Sequence, residues 1–263
     1  MTKRFEGQAA VVLGASAEGG SGWATAKRLA DEGARVVVAA RNLPELERLA
    51  QQIGGHAVKC DAGNPDDVKA LAAECARLLG NVDIAVFAAG WPLAGALSEI
   101  TPEQLDQALG VNFVGPFFFV QSIAEIMNDG GAISVITSLA STHVVPSQIA
   151  YACAKAATNT LVRYAALELG PRRIRVNAVI PALINSPMTV PFRAAPGVLD
   201  AIMKEVPLKR GAEGEDIAAA CLWLASRECF ATGALLPVDG GNHLRRSAFP
   251  EDFAAGAFES MNS

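Results

Sequence analysis

Short apolar runs alternate with longer helical patterns along almost the whole chain, and that alternation restricts the fold more than any other feature. Gln8 to Leu13, Arg35 to Ala40, His56 to Cys60, Val82 to Ala89, 131–138, 174–180 and 233–238 read as strands. Between them, Trp23 to Gly33, 43–52, 65–79 and 214–226 read as helices, as does 151–170. Pro44 sits in the first turn of one, and Asn64-Pro-Asp-Asp opens another with acidic residues at its N-terminus. Thr101-Pro-Glu-Gln104 is a capping box that begins a long helical region to about Met127, interrupted near Gly115-Pro116. Asn112 lies inside that region, where an asparagine is unfavourable, so the backbone around it is expected to leave the regular ladder. Apolar strands that each hand over to a helix specify an α/β fold: a parallel sheet covered on both faces.

In such a sheet, ligands bind beyond the carboxyl ends of the strands. The first strand runs into Gly14-Ala-Ser-Ala-Glu-Gly-Gly-Ser-Gly22 and then into a helix. Strand, glycine loop and helix in that order form a phosphate cradle: glycine lets the backbone approach an anion, and the first helical turn presents free N–H groups. Gly14, Ser16, Gly20 and Gly22 are the candidate contacts, with Gly19 as a competitor for the glycine role. The second strand ends at Ala40, where a carboxylate would bind the ribose hydroxyls of NAD, and Arg41 follows. A guanidinium suits a dianionic 2′-phosphate, which predicts NADP(H) over NAD. Asp61, Ala89, Gly90, Ser138 and Pro181 also fall at strand ends, and that convergence outweighs any single motif. The expected architecture is a Rossmann-type doubly wound parallel sheet of about seven strands, one domain over 1–244, with a C-terminal tail over 245–263. The tail carries Phe249, Phe253 and Phe258 and is expected to fray, to cover the site or to reach a neighbouring subunit.

Bulk properties narrow the partners. The 263 residues hold 22 basic and 27 acidic side chains, a net charge of −5, which argues against nucleic acid as the main partner. No unbroken apolar run reaches the ~18 residues of a membrane helix, and the basic N-terminus lacks a signal-peptide core. The five cysteines form no C-x-x-C pair and read as reduced thiols in a cytoplasmic protein. No His or carboxylate cluster has metal-ligand spacing, so no catalytic metal is expected.

Ser138 to Lys155 carries the chemistry. Tyr151 and Lys155 are four residues apart, one turn apart on one helix face. A phenol is a poor acid at neutral pH, and a neighbouring ammonium is expected to lower its pKa. Ser138 ends an apolar strand, so its hydroxyl could hold a substrate oxygen against the phenol. His143 is a weaker candidate for substrate contact, because an imidazole there can equally satisfy loop backbone groups. Cys153 reads as structural, and Trp91 as a pocket wall or a packed neighbour. From Ala182 to Pro207 the pattern is irregular, with prolines at 187, 191, 196 and 207, and reads as a structureless lid. Its Leu183, Met188, Val190, Phe192, Leu199, Ile202 and Met203 suggest an apolar substrate or simple core packing.

With these residues in place, residues 6 to 244 resemble the short-chain dehydrogenase/reductase family. The Gly14–Gly22 loop is similar to the family's T-G-x-x-x-G-x-G but carries two extra residues, and Leu13 stands where threonine is usual. Asn112, Ser138, Tyr151 and Lys155 match its catalytic tetrad, and Asp61 matches the aspartate near the adenine. Pro181 to Met188 resembles P-G-x-x-x-T-P-M, in which Ile184 and Ser186 would hold the nicotinamide carboxamide, with Ala182 replacing glycine. Phe87-Ala-Ala-Gly90 stands for N-N-A-G, and Pro237-Val-Asp-Gly-Gly241 resembles the last-strand signature.

The resemblance implies hydride transfer between nicotinamide and a ketone or secondary alcohol. Ser138 would bind the oxygen, Tyr151 would exchange its proton, Lys155 would lower the phenol pKa and hold the ribose, and Asn112 would position a water leading to Lys155. Tyr151 and Lys155 therefore count as cofactor contacts too. An epimerase or dehydratase that retains its dinucleotide is the competing enzyme class, and a dinucleotide sensor the non-enzymatic one. The apolar face of 151–170 and the family's habit imply a homodimer or homotetramer.

Overall fold

The computed structural model describes residues 3–253. Its centre is a seven-stranded parallel sheet in the order β3-β2-β1-β4-β5-β6-β7. The strands are β1 (Ala9–Leu13), β2 (Arg35–Ala40), β3 (His56–Lys59), β4 (Val82–Phe87), β5 (Met127–Ile136), β6 (Arg175–Pro181) and β7 (Leu235–Val238). Every residue of β1 is buried, as a strand flanked by neighbours and covered on both faces must be.

Side chains alternate along each strand, so the sheet feeds two apolar layers. One layer takes Val11, Leu13, Phe87 and Ile133 and packs under α3 (Pro65–Leu79), α5 (Gly115–Ile126) and α6 (Ile149–Leu169). The other takes Val12, Val38 and Val86 and packs under α1 (Ser21–Asp31), α2 (Leu43–Ile53) and α9 (Gly214–Ala225). Arginines close two helix ends. Arg175 donates to the carbonyls of Leu224, Ala225 and Ser226 after α9, and Arg172 to those of Ala124 and Met127 after α5.

The structure bears out the expected disruption around Asn112 and departs from the sequence reading elsewhere. The helical region from Thr101 is α4 (Pro102–Leu109), a π-turn at Gly110–Val114, and α5. The disruption includes Asn112 and precedes Pro116, because the proline ring disturbs the ladder one turn upstream of itself. The fifth strand starts four residues earlier than the expected 131 and ends before Ser138. Residues 182–207 are not structureless. They hold a 3-10 turn at Pro187–Thr189, then α7 (Val190–Ala194) and α8 (Val198–Glu205). Proline there occupies first-turn positions, where its missing N–H is harmless, so it starts helices and does not break them. Finally, Pro102–Ile126 is long and apolar enough to cross a membrane by length and composition. Interspersed polar residues hide that in a search for unbroken apolar runs; in the fold the segment packs on α3 and α6.

The start of the tail is tied down. Arg245 and Arg246 pair with Glu205, Arg246 also with Asp252, and Phe253 packs on Phe192, Ile202 and Val198 of the 182–207 segment. Phe258 and the rest of the tail lie outside the described residues.

Candidate active site

The strand order turns around between β1 and β4, and in such a sheet the loops beyond their carboxyl ends are where a ligand crevice forms. Two short bonds set its floor: Gly14 N donates to Ala39 O and Ala88 N to Leu13 O, both at 2.7 Å. Gly14 has φ of +100°, and a Cβ on it would collide with the Ala88–Ala89 backbone. A Cβ on Gly22 would strike the Gly14 carbonyl oxygen. These glycines are needed for close approach between protein segments, which aims the start of α1 at the crevice. Gly20 is the N-cap of α1 and no side chain caps that helix, whereas Asn64 caps α3 and Thr101 caps α4. The first N–H groups of α1 thus have no side-chain partner, as is also true of α2 and α6. Gly19 has φ of +77° and open space around it, so its part is the turn alone. Ser16 is half-buried in the same loop.

Arg41 is exposed at the end of β2 and forms no hydrogen bond or ion pair among the described residues. Glu18 in the glycine loop and Glu45 in α2 are both held by Arg48 at 2.8 Å, whose guanidinium lies 4.5 Å from the Trp23 ring centre. Their charges are thereby compensated locally. Asp61 follows β3 and spends Oδ1 on Gly63 N.

Ser138, Tyr151 and Lys155 come together as the spacing predicted. α6 begins at Ile149, so both Tyr151 and Lys155 are helical and share a face. Ser138 follows β5 as the cap of a 3-10 turn, Leu139–Ser141, where its Oγ accepts from Ala140 N at 3.2 Å and lies near enough to the Tyr151 phenol to favour the ionised form. Lys155 is 2% exposed, its Nζ donates to Ile136 O at 3.0 Å and lies 5.7 Å from the Tyr151 ring centre. A Cβ on Gly90 would come within 3.8 Å of that Nζ, which puts the end of β4 beside the ammonium; Ala89, half-buried, precedes it.

The electrostatics differ from expectation. Burial pushes the Tyr151 phenol above its usual pKa, and the Ser138 hydroxyl pulls it only partly back. Burial also depresses Lys155 to about 8. Counting only the lysine charge predicted a lowered phenol; withdrawal from water acts on both groups and dominates.

Asn112 is fully buried, and its side chain faces backbone. Nδ2 donates to Trp91 O at 2.9 Å and Ala108 O at 3.0 Å, and Oδ1 accepts from Trp91 N at 3.2 Å. With both amide protons so engaged, the side chain anchors the loop after β4, and its Oδ1 keeps a second acceptor position. Thr158 of α6 donates to the Asn112 carbonyl at 2.6 Å. His143 Nε2 donates to His243 O at 2.9 Å, so its ring serves backbone, as the plainer reading had it. Pro181 ends β6 beside Val238 of β7. Ile184 bridges to Ala212, and Ser186 caps the turn at Pro187–Thr189. Trp91 packs with Leu93, Ala108, Ala150 and Ile100.

Sequence reasoning missed Ser141, Thr158 and Asn159. The available signal was polar residues seven and eight after Tyr151, on the helix face that Tyr151 and Lys155 define.

Residues 14–243 match the family model described as Enoyl-(Acyl carrier protein) reductase. The chain is 34% identical over 248 residues to Glucose 1-dehydrogenase of Gluconobacter oxydans, covering 90% of this chain and 92% of that one. It is 32% identical over 246 residues to D-threitol dehydrogenase of Mycolicibacterium smegmatis, at 90% and 94% coverage. Among solved structures, a double mutant of a Serratia marcescens short-chain dehydrogenase/reductase superposes with a TM-score of 0.86 at 32% identity, covering 91% of this chain and 99% of that one. A dehydrogenase/reductase from Sinorhizobium meliloti gives 0.84 at 33% identity, with 92% and 97% covered.

Proposed function

The chain belongs to the short-chain dehydrogenase/reductase family, and from that premise we propose that it transfers hydride between NADP(H) and a ketone or secondary alcohol with an apolar body. The observation that carries this reading is the cluster beyond the end of β5 in which the half-buried Ser138 and Tyr151 stand beside the buried Lys155.

A dinucleotide would lie across the strand ends on either side of the β1–β4 turnaround. The uncapped first turn of α1 would take the pyrophosphate, and Asp61 lies at the adenine end. The unpaired Arg41 guanidinium supports a 2′-phosphate and hence NADP(H). Ile184 and Ser186 would hold the carboxamide. When bound, the nicotinamide supplies or accepts the hydride.

The residues of the chain do the rest. Ser138 holds the substrate oxygen beside the phenol. Tyr151, protonated at neutral pH as any phenol is and made a weaker acid still by its burial, donates its proton to that oxygen in reduction and recovers it in oxidation. Lys155, with a pKa of about 8, remains largely a cation at pH 7 and stabilises the phenolate left behind. One of its three N–H bonds is fixed on Ile136 O, so the other two serve the phenol side and the ribose.

Exposed apolar side chains support a hydrocarbon-rich substrate. Leu97, Val144, Met188 and Val190 stand out from the loops that follow β4, β5 and β6, all at the ligand-binding edge. The relatives above are named for glucose and D-threitol; these side chains favour a less polar body here. Phe117, Tyr164 and Leu167 on α5 and α6 are exposed as well, which supports a homodimer or homotetramer built through those helices. Five free thiols accord with a cytoplasmic location.

The test is consumption of NADPH and of NADH with a panel of cyclic and aryl ketones, and the reverse reaction with secondary alcohols. Turnover with NADPH preferred is the expected result, and Arg41→Ala should raise KM for NADPH about 10-fold or more while leaving KM for NADH nearly unchanged. A chain that turns over no member with either dinucleotide refutes the reading.

A further inference from the structure

We propose that Asn159 and Ser141 are positioning residues that hold Ser138 against Tyr151, so that α6 grips the substrate-oxygen site at two points. The inference rests on the functional reading above, and it starts from a direction of hydrogen bonding. The Ser138 carbonyl accepts from Ser141 N at 3.0 Å and from the Ser141 hydroxyl. A carbonyl cannot donate, so the single hydroxyl proton of Ser141 points to Ser138. The Ser141 oxygen must then accept from its other side, and Asn159 Nδ2 donates there at 2.7 Å. That order, amide to hydroxyl to carbonyl, also fixes which way the Asn159 amide is turned.

Asn159 is four residues beyond Lys155 and eight beyond Tyr151 on α6. The three side chains therefore line one face of one helix. The Tyr151 phenol lies beside the Ser138 hydroxyl on that face, and Asn159 reaches the Ser138 backbone through Ser141. Two holds on one residue, one turn of helix on either side of Lys155, set the direction of its Oγ more tightly than the hydroxyl contact alone.

The amide is not there for packing. Asn159 is 4% exposed and its Oδ1 has no partner. Among the described residues, three buried side-chain atoms lack one, and a second is Oγ1 of Thr137, next to Ser138. An unpaired buried oxygen lowers stability, and an apolar side chain of the same volume would avoid that loss. What an apolar residue cannot supply is the donor to Ser141. Local expense of this kind concentrates at functional sites.

Ser141→Ala, Asn159→Leu and the double variant test the proposal in the full chain, with acetophenone and NADPH as probes. Each single variant should lower kcat about 10-fold or more while leaving the Kd for NADPH unchanged; the Tm should equal or exceed that of the parent in Asn159→Leu and fall in Ser141→Ala, which orphans the Asn159 amide. The double variant should be no slower than the slower single one, because both act through one chain of bonds. A second arm needs no substrate. Tyr151 and Tyr164 are the two tyrosines of the sequence, so in a Tyr164→Phe background the tyrosinate absorbance reports Tyr151 alone. Its titration should move to higher pH in both variants as the Ser138 hydroxyl moves away. A parental kcat, effects that multiply in the double variant, or an unmoved Tyr151 titration would overturn the proposal. Should Tyr151→Phe abolish turnover while Asn159→Leu leaves it intact, this inference alone fails. Full activity in Tyr151→Phe removes the functional reading beneath it.

Discussion

Two helices reach the cleft, and they do so with different parts of the chain. α1 arrives end-on and offers backbone: an uncapped first turn placed by Gly14 and Gly22, whose missing side chains let three segments touch. α6 arrives side-on and offers side chains: Tyr151, Lys155, Thr158 and Asn159 from one face, most of them buried. Backbone groups are the same whatever the residue, so the α1 end depends on shape and is broken by an added carbon. Side-chain groups differ, so the α6 face depends on chemistry and is broken by removing one atom. On the proposed function, the α1 end would chiefly set affinity for the dinucleotide and the α6 face would chiefly set turnover.

The largest effect expected from this contrast lies on α6. Tyr151→Phe removes one oxygen and leaves the ring packed, so kcat should fall about 10³-fold, about 4 kcal/mol in barrier, with dinucleotide affinity within about twofold of the parent. Stopped-flow turnover and fluorescence titration measure the two quantities; a joint loss of both would erase the distinction between the helices. On α1 the reverse pattern is expected. Gly22→Ala drives a methyl group at the Gly14 carbonyl, which should cost about 1–3 kcal/mol of stability and weaken dinucleotide binding, while kcat at saturating dinucleotide stays close to parental. Denaturant midpoints and KM against kcat decide it.

The smallest effect is thermodynamic. The folded-state pKa of Lys155 is depressed by burial to about 8 from the 10.5 usual for a lysine. Between those limits the unfolded chain binds the extra proton, so this group makes stability rise with pH, by at most about 1.4 kcal/mol per pH unit. Three buried thiols, Cys60, Cys75 and Cys221, are pushed up to about 12 and act in the opposite sense at alkaline pH. The lysine contribution is therefore read as a difference: the stability gap between wild type and Lys155→Met should shift in favour of wild type from pH 8 to 10. A constant gap would mean that burial does not govern the lysine.

Much of this was legible in the residues. The run Arg35–Ala40 and the helix Pro65–Leu79 have the bounds that apolar pattern and capping chemistry assign them. The Tyr151–Lys155 pair and Ser138 could be placed because helix period and strand ends are local properties. What escaped depended on the context of the whole fold. Prolines 187 and 191 have the same local chemistry whether they end a segment or start one, and only the packing of Phe192, Ile202 and Phe253 together shows that helices follow. The Tyr151 phenol was misjudged because its neighbour in sequence is visible and its loss of water is not. Asn159 looked like an ordinary helix residue, since its partner Ser141 is brought to it only by the turn after β5.

The π-turn at Gly110–Val114 has one more consequence. It adds a residue to what would otherwise be a single rod, and one residue advances the angular position around a helix by about 100°. The two halves can therefore look in different directions, α4 toward α6 and α5 chiefly toward α3. A straight cylinder would have to choose one of those neighbours. The irregularity works as a crank in the shaft, and Asn112, seated on the bend, ties that change of heading to the loop beside Lys155.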